Sequence, residues 1–210
     1  QRISFTQAYM EHAHGATLGW WNHTKEDGLD KCDPEVLVQD TKVSLQVIYD
    51  LATIELLPYD FSQKIKEFRR KVEKLAEEYG CHMDFSDLLE NLKQAEHLVL
   101  QVQEQKEAFR GERAQYYNDF VKEVSRQITN VTMTYTDKYS QDSYGYTKLS
   151  APIPLFADFS RLDKLKENSL EYGLVKTQMV KNKNRINDAL ELISRISVLY
   201  QKIILSCTQM

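Results

Sequence analysis

The residues with the clearest chemical potential lie between Leu18 and Pro34, where the chain reads L-G-W-W-N-H-T-K-E-D-G-L-D-K-C-D-P. One histidine, His23, follows two tryptophans and precedes four acidic residues. Gly19 and Gly28 flank it, and glycine permits tight backbone turns. Neutral imidazole is a common zinc ligand, and neighbouring carboxylates can orient its second ring nitrogen. His23 is therefore a candidate metal ligand, but a zinc site needs three or four ligands, and a surface or packed histidine fits the same pattern.

Four segments of the sequence carry a family resemblance. The dipeptide His23-Thr24 precedes an E-D-x-x-D-K-x-D-P run, the segment L-L-P-Y-D-F begins at Leu56, and the segments K-T-Q-M-V and N-R-I-N-D-A-L begin at Lys176 and Asn184. In the first run the matching residues are Glu26, Asp27, Asp30, Lys31, Asp33 and Pro34. Together the stretches resemble the end of the catalytic domain and the C-terminal helical domain of M28-family zinc peptidases. That family includes bacterial aminopeptidases and the relatives of glutamate carboxypeptidase and transferrin receptor.

The resemblance implies a two-zinc site whose last protein ligand is His23. The family's other ligands, and the glutamate that acts as general base, come earlier in the chain than this histidine. We therefore expect a C-terminal fragment of a zinc-dependent exopeptidase, with aminopeptidase activity the expected type. The intact parent would hold two zinc ions and act on peptides, whereas this chain alone would contain no catalytic residue and hold no zinc stably. The expected partners are the missing N-terminal catalytic part and a second copy of the chain.

The alternative function is a helical interaction or dimerisation module with no chemistry of its own. The related domain in transferrin receptor and its peptidase relatives mediates dimerisation. The apolar patterns that follow Pro58 support this alternative as well as they support the peptidase. The presence or absence of the upstream ligands in the parent protein would separate the two functions.

The resemblance also places a substrate pocket beside Trp20, Trp21 and Asn22. Many relatives have a tyrosine directly before the ligand histidine, where its hydroxyl helps to stabilise the oxyanion. Asn22 occupies that position here and has a shorter side chain, so the role of the tyrosine is not transferred to it. The two tryptophans either form a wall of the substrate pocket or serve packing alone.

Two later motifs imitate the family's upstream ligands. Glu77-Glu78 resembles the glutamate pair, and His82-Met83-Asp84 resembles the His-x-Asp ligand motif. Both follow His23 and stand in the wrong mutual order for the family. We interpret them as solvated surface residues of a helical region.

Composition indicates a helical protein that needs no nucleic acid or membrane partner. The chain has 210 residues, 42% of them hydrophobic, and a formal net charge of −4. Basic residues are interleaved with acidic ones, which argues against nucleic acid and anionic membranes as partners. No apolar run approaches the roughly 18 residues that a membrane span needs. The three cysteines are widely spaced, which favours free thiols in a reducing compartment and a cytoplasmic location.

The predicted fold is mostly α, with the end of an α/β catalytic domain at 1–57 and a helical bundle at 58–210. The N-terminal part is predicted to be irregular, with a short strand near Arg2–Phe5. The predicted helices cover 34–57 with Asp33 as N-cap, a stretch from Asp60 or Ser62 to a left-handed Gly80, a third stretch from Ser86 that continues past Gly111, and 169–205.

Two further segments are predicted to make contacts beyond a simple bundle. Residues 134–167 are rich in tyrosine, which suits either an interface or active-site cover, or a loop pinned onto the bundle by its tyrosines. The last helix has apolar residues at alternating spacings of three and four, which is typical of bundle packing. A second strip on it, containing Leu190, Leu199 and Ile204, is predicted to meet another subunit.

Overall fold

The structure is a computed structural model that describes residues 24–136, 139 and 151–208. The predicted strand near Arg2–Phe5 lies outside the described residues. The contacts of the chain divide it into two units, Gln1–Ile54 and Glu55–Met210. The described residues are mostly helical and contain no strand, which confirms the helical part of the predicted fold class. The α/β catalytic domain stays a prediction.

The first unit contains one long helix, α1, which spans Pro34–Thr53. The Asp33 carboxylate caps it by accepting hydrogen bonds from the backbone N–H groups of Glu35 and Val36, at 2.8 and 3.2 Å. Proline at the first helical position suits this start, because its missing N–H would have no helical partner there. The predicted N-cap is thus confirmed.

The end of α1 differs from the prediction, which extended it to Leu57. The helix stops at Thr53, and Ile54 adopts an extended conformation. Within the second unit the Asn118 side chain satisfies the backbone that follows. Its Oδ1 accepts from the Leu57 N–H at 2.8 Å, and its Nδ2 donates to the Glu55 carbonyl at 2.9 Å. This tertiary pairing offers the backbone an alternative to another helical turn.

The second unit is a helical bundle of four long helices among its described residues: α2 at Phe61–Tyr79, α3 at Ser86–Glu104, α4 at Ala114–Thr132 and α5 at Leu170–Thr208. Helix α5 packs against both α3 and α4, and α2 packs mainly against α3. With 39 residues, α5 is about 58 Å long and is the longest helix that the structure describes.

The core of this unit contains apolar residues from every one of its helices. Thirty-two hydrophobic side chains are buried among the residues that the structure describes, and several of them are fully enclosed. The fully enclosed residues include Ile65, Val72, Leu88, Leu92, Val99, Val102, Val124, Ile128, Ile186 and Ile193. The core is therefore complete within the unit, as expected of a domain with its own apolar centre.

The structure around two glycines differs from the sequence prediction. The third helix does not continue past Gly111, because α3 ends at Glu104 and two short 3-10 helices, Lys106–Phe109 and Gly111–Arg113, separate it from α4. Gly111 begins the second of them with a φ of +70°, which favours glycine. Gly80 ends α2 with a right-handed φ of −61°, so the predicted left-handed conformation is wrong. A side chain at Gly80 would instead place Cβ 2.5 Å from the Ala76 carbonyl oxygen.

The described part of the 134–167 segment packs on the bundle through residues other than tyrosine. Residues Pro154–Phe156 and Phe159–Lys164 form short 3-10 helices. Their buried side chains include Leu155, Phe156, Phe159 and Leu162, whereas the Tyr139 side chain is 85% exposed. Tyr144 and Tyr146 lie outside the described residues. Among the described residues of the segment these phenylalanine and leucine side chains are buried and Tyr135 is half-buried. Pinning by the tyrosines as a set stays a prediction.

Candidate functional site

The predicted metal ligand and pocket residues fall outside the part that the structure describes. These are His23, Trp20, Trp21 and Asn22. The description begins at Thr24, whose hydroxyl accepts from the Glu26 N–H at 3.2 Å and whose carbonyl accepts from the Asp27 N–H at 3.1 Å. A tight turn thus follows His23 directly, and a short 3-10 helix at Leu29–Lys31 leads on to α1. Zinc ligation by His23 stays a prediction.

The described residues contain no group of three or more His, Cys, Asp or Glu side chains that could hold a metal ion. Cys32 and Cys81 are exposed free thiols, as predicted, and the Cys207 side chain is outside the described set. None of the helices described is long and apolar enough to cross a membrane.

The two imitation motifs have different surroundings. Glu77 and Glu78 are exposed, which agrees with their interpretation as solvated residues. His82 is not a surface residue, because its side chain is only 11% exposed. The His82 Nε2 lies 2.9 Å from Asp163 Oδ1, and its Nδ1 lies 3.1 Å from the Tyr172 hydroxyl. The interpretation of His82 as a surface decoy is therefore wrong.

His82 joins three parts of the second unit. It lies in the turn between α2 and α3, Asp163 belongs to the second 3-10 helix, and Tyr172 lies in the first turn of α5. The Tyr79 ring stacks on His82 at 6.5 Å between centroids and on Phe159 at 5.2 Å. The sequence carries no signal for this cluster, because its polar partners are 81 and 90 residues away from His82.

The pKa values of the two tyrosines in this cluster favour a structural role over a catalytic one. A hydrogen bond to Glu78, aided by burial, raises the pKa of Tyr79 to about 12. Burial, followed by the nearby Glu167 and Cys81 charges, raises the pKa of Tyr172. Both phenols therefore stay protonated at neutral pH and act as hydrogen-bonding groups. General-base chemistry needs a pKa near the working pH, so neither tyrosine is suited to that role.

We expect His82→Ala to lower the free energy of unfolding by about 1–3 kcal/mol, because the buried Tyr172 hydroxyl loses its partner. Urea denaturation followed by circular dichroism measures this loss. The matched control is His97→Ala, which removes an exposed histidine from α3. An equally small effect of both substitutions would show that the His82 contacts contribute nothing to stability.

A second polar cluster sets the register of α3 against α5. Lys183 Nζ lies 2.9 and 3.0 Å from the two Asp87 oxygens, and Asn187 Nδ2 donates to Asp87 Oδ2 at 3.0 Å. Burial alone would raise the pKa of Asp87, but hydrogen bonds from Lys183, the Leu88 N–H and Asn187 lower it below its usual range. The pair therefore stabilises the fold at neutral pH and loses its contribution as acid protonates Asp87.

The most unusual feature of the described chain is the surface of α1. None of its residues is buried, although it carries nine large apolar side chains. They are Val36, Leu37, Val38, Val43, Leu45, Val47, Ile48, Tyr49 and Leu51. Contiguous apolar surface of this kind usually marks a site of interaction. Helix α1 is therefore the candidate functional site among the described residues.

The last helix offers less apolar surface than the sequence predicted. Leu190 and Ile204 are buried in the bundle core, so two members of the predicted intersubunit strip are wrong. Leu199 is 57% exposed, and the neighbouring Ile196 and Ile203 are partly buried against the core. The predicted strip is therefore mostly buried, although α5 exposes other apolar side chains, among them Leu170, Leu174, Leu192 and Leu205.

Comparison with known proteins adds no relative. No protein-family model matches the chain, and neither a curated protein nor a solved structure matches it. The resemblance to zinc peptidases therefore stays a prediction from the residues around His23 and the helical patterns that follow.

Proposed function

We propose that the chain is a helical interaction module of a zinc-dependent exopeptidase. In this proposal α1 packs on the metal-binding body of the enzyme, and the bundle of residues 55–210 is an accessory domain. The observation that supports it is the exposed apolar surface of α1. The bundle needs no such surface for its own stability, because its core is complete.

The arrangement of apolar residues on α1 indicates what kind of body would cover it. One broad strip contains Val36, Leu37, Val43, Val47, Ile48 and Leu51, interrupted by Asp40 and Ser44, and a second contains Val38, Leu45 and Tyr49. One polar strip contains Glu35, Gln39, Lys42, Gln46 and Asp50. A helix that is apolar over most of its circumference is normally buried. A single neighbouring helix would leave one strip uncovered, whereas the surface of a larger domain would cover both.

The position of α1 connects this surface with the proposed metal site. His23 precedes the turn at Thr24, and the acidic run that follows leads to the Asp33 cap of α1. The family pattern has the same order: a ligand histidine, the acidic run and then a helix. The capped start of α1 supports the resemblance, and docking of α1 would bring His23 to the same body.

Metal content of the longer parent protein tests the proposal against its alternative. If the parent is a zinc peptidase, purified protein should contain about two zinc ions per chain, as two-metal hydrolases do. The alternative is an interaction module without chemistry, and it predicts none. Elemental analysis after extensive dialysis distinguishes the two, and hydrolysis of aminoacyl p-nitroanilides provides a second readout.

The chain by itself is expected to bind zinc only weakly, because one histidine does not supply the three or more protein ligands that a stable site needs. Isothermal titration with zinc measures this affinity. His97→Ala serves as the control for loss of an exposed histidine. Stoichiometric binding at submicromolar zinc that disappears in His23→Ala would contradict the prediction.

A further inference from the structure

A cavity of about 460 Å³ lies in the second unit, between α2 and the segment that begins at Ala151. Its volume falls in the range of roughly 300–1,000 Å³ that small-molecule sites occupy. The lining includes the apolar side chains of Leu75, Ile153, Phe156 and Phe159. Three of these side chains are buried, and Leu75 is partly buried against the core. One wall of the cavity is therefore formed by the core of the bundle.

The aromatic side chains of this wall hold one another in place. The ring centroids of Phe156 and Phe159 lie 5.3 Å apart, and Phe159 stacks on Tyr79 at 5.2 Å. Phe85, the residue before α3, packs against both phenylalanines at 6.1 and 5.7 Å. A ligand would therefore meet apolar surface that is already ordered, so that few side chains of the protein would lose freedom on binding.

The charges at the rim of the cavity are balanced. Lys71 Nζ lies 2.9 Å from the Glu67 carboxylate. The neutral Tyr79 phenol donates a hydrogen bond to Glu78, which keeps its negative charge. Lys74 and Glu78 carry opposite charges one helical turn apart on α2, and both are exposed. The charged side chains that the structure describes at this rim therefore offset one another and favour neither an anion nor a cation.

We propose that this cavity binds a small uncharged apolar molecule. Transfer of such a molecule from water to the apolar wall is favourable in proportion to the surface removed from water. A charged group placed against the same wall would lose hydration, and the balanced rim would not compensate for the loss. The cavity lies within the second unit, so binding here does not depend on the peptidase function.

The polar atoms of the bundle agree with an uncharged apolar ligand. Among the described residues, every buried side-chain nitrogen or oxygen has a hydrogen-bond partner. The cavity wall therefore contains no buried polar side chain that a ligand must satisfy. Leaving such a group unpaired is costly, and its presence would have favoured a ligand with a matching donor or acceptor.

Titration with 2-naphthylmethanol, an uncharged molecule with two fused rings, tests the proposal by methyl NMR of the full chain. The methyl groups of Leu75, Ile153 and Ala157 should shift and saturate together. Those of Val43 and Leu45 on α1 should not follow the same curve, which separates the cavity from general binding to the exposed helix. Cavity methyl groups that do not shift would overturn the proposal.

Three related probes test the chemical class of the ligand. Benzyl alcohol lacks the second ring and should bind about tenfold more weakly than 2-naphthylmethanol, because it removes less apolar surface from water. The anion 2-naphthoate and the cation 2-naphthylmethylammonium should each bind about threefold more weakly or worse, because their charged groups lose hydration. Tighter binding of either ion than of the alcohol would contradict the proposed class.

Two substitutions that fill the cavity complete the test. Ala157→Leu and Ser160→Trp each enlarge a residue of the lining and should weaken binding of 2-naphthylmethanol about tenfold, because they occupy the space of the ligand. Ser160 is exposed, so its substitution should preserve the fold. The matched control is Ala108→Leu, at an exposed position outside the lining, and it should leave the affinity unchanged. Unchanged affinity in both lining variants would place the ligand elsewhere and overturn the proposal.

Discussion

A chain that carries Val47→Glu and Leu51→Glu is expected to be a monomer of about 24.6 kDa at tens of micromolar, whereas the unmodified chain is expected to form a dimer or a larger species. Gel filtration coupled to light scattering measures both masses. The two substitutions place charges in the broad apolar strip of α1, where every residue is exposed. An exposed apolar surface of this kind favours association with a second copy of the chain.

Association is expected through α1 and not through α5 because of the size of the apolar surface of α1. Burying one valine, leucine or isoleucine side chain contributes about 1.5–3 kcal/mol, and association must first offset about 4–15 kcal/mol of lost motional freedom. Several side chains must therefore be buried together. Helix α1 exposes nine and buries none. Of the predicted α5 strip only Leu199 is exposed, and the other exposed leucines of α5 belong to a helix whose remaining apolar residues are buried in the bundle core.

Two controls make this result specific. Gln39→Glu with Gln46→Glu adds the same charge to the polar strip of α1 and should leave the association unchanged. Leu199→Glu should also leave it unchanged. If Leu199→Glu alone produced a monomer, the interface would be on α5, as the sequence pattern predicted. A monomeric unmodified chain would refute self-association altogether.

The second large effect is expected in the longer zinc peptidase that we propose as the parent, where His23→Ala should lower turnover more than about 100-fold. Losing a residue that only orients a metal ligand already costs about 10–100-fold, and a direct ligand contributes more. The variant should also lose about one zinc ion, because a two-metal site needs all of its ligands to hold both ions. Steady-state hydrolysis and elemental analysis measure the two losses.

The control variants for this experiment come from the imitation motifs. Glu77→Gln should leave turnover almost unchanged, because Glu77 is exposed on α2. His82→Ala should also preserve turnover when it is assayed well below the unfolding temperature, although it lowers stability. Near-normal turnover of His23→Ala would show that this histidine is not a zinc ligand.

Local chemistry determined much of the helical framework, and those predictions could be made from sequence. Asp33 and Asp60 begin their helices because a carboxylate can satisfy backbone N–H groups only a few residues away. Ile186 and Ile193 are fully buried because a repeat of seven residues keeps one face of α5 against its neighbours. Such signals act within one or two turns of a helix, so no tertiary information is needed.

The tertiary structure alone decided where several elements end and which surfaces stay exposed. Helix α1 stops at Thr53, and the Asn118 amide satisfies the backbone that follows. His82 became a buried link because Asp163 and Tyr172 approach from distant parts of the chain. Periodicity predicted that Leu190 and Ile204 lie on an apolar strip of α5, but it did not predict that the bundle would bury them. Each of these outcomes depends on contacts between residues far apart in sequence. The spacing of apolar residues within one helix does not specify such contacts.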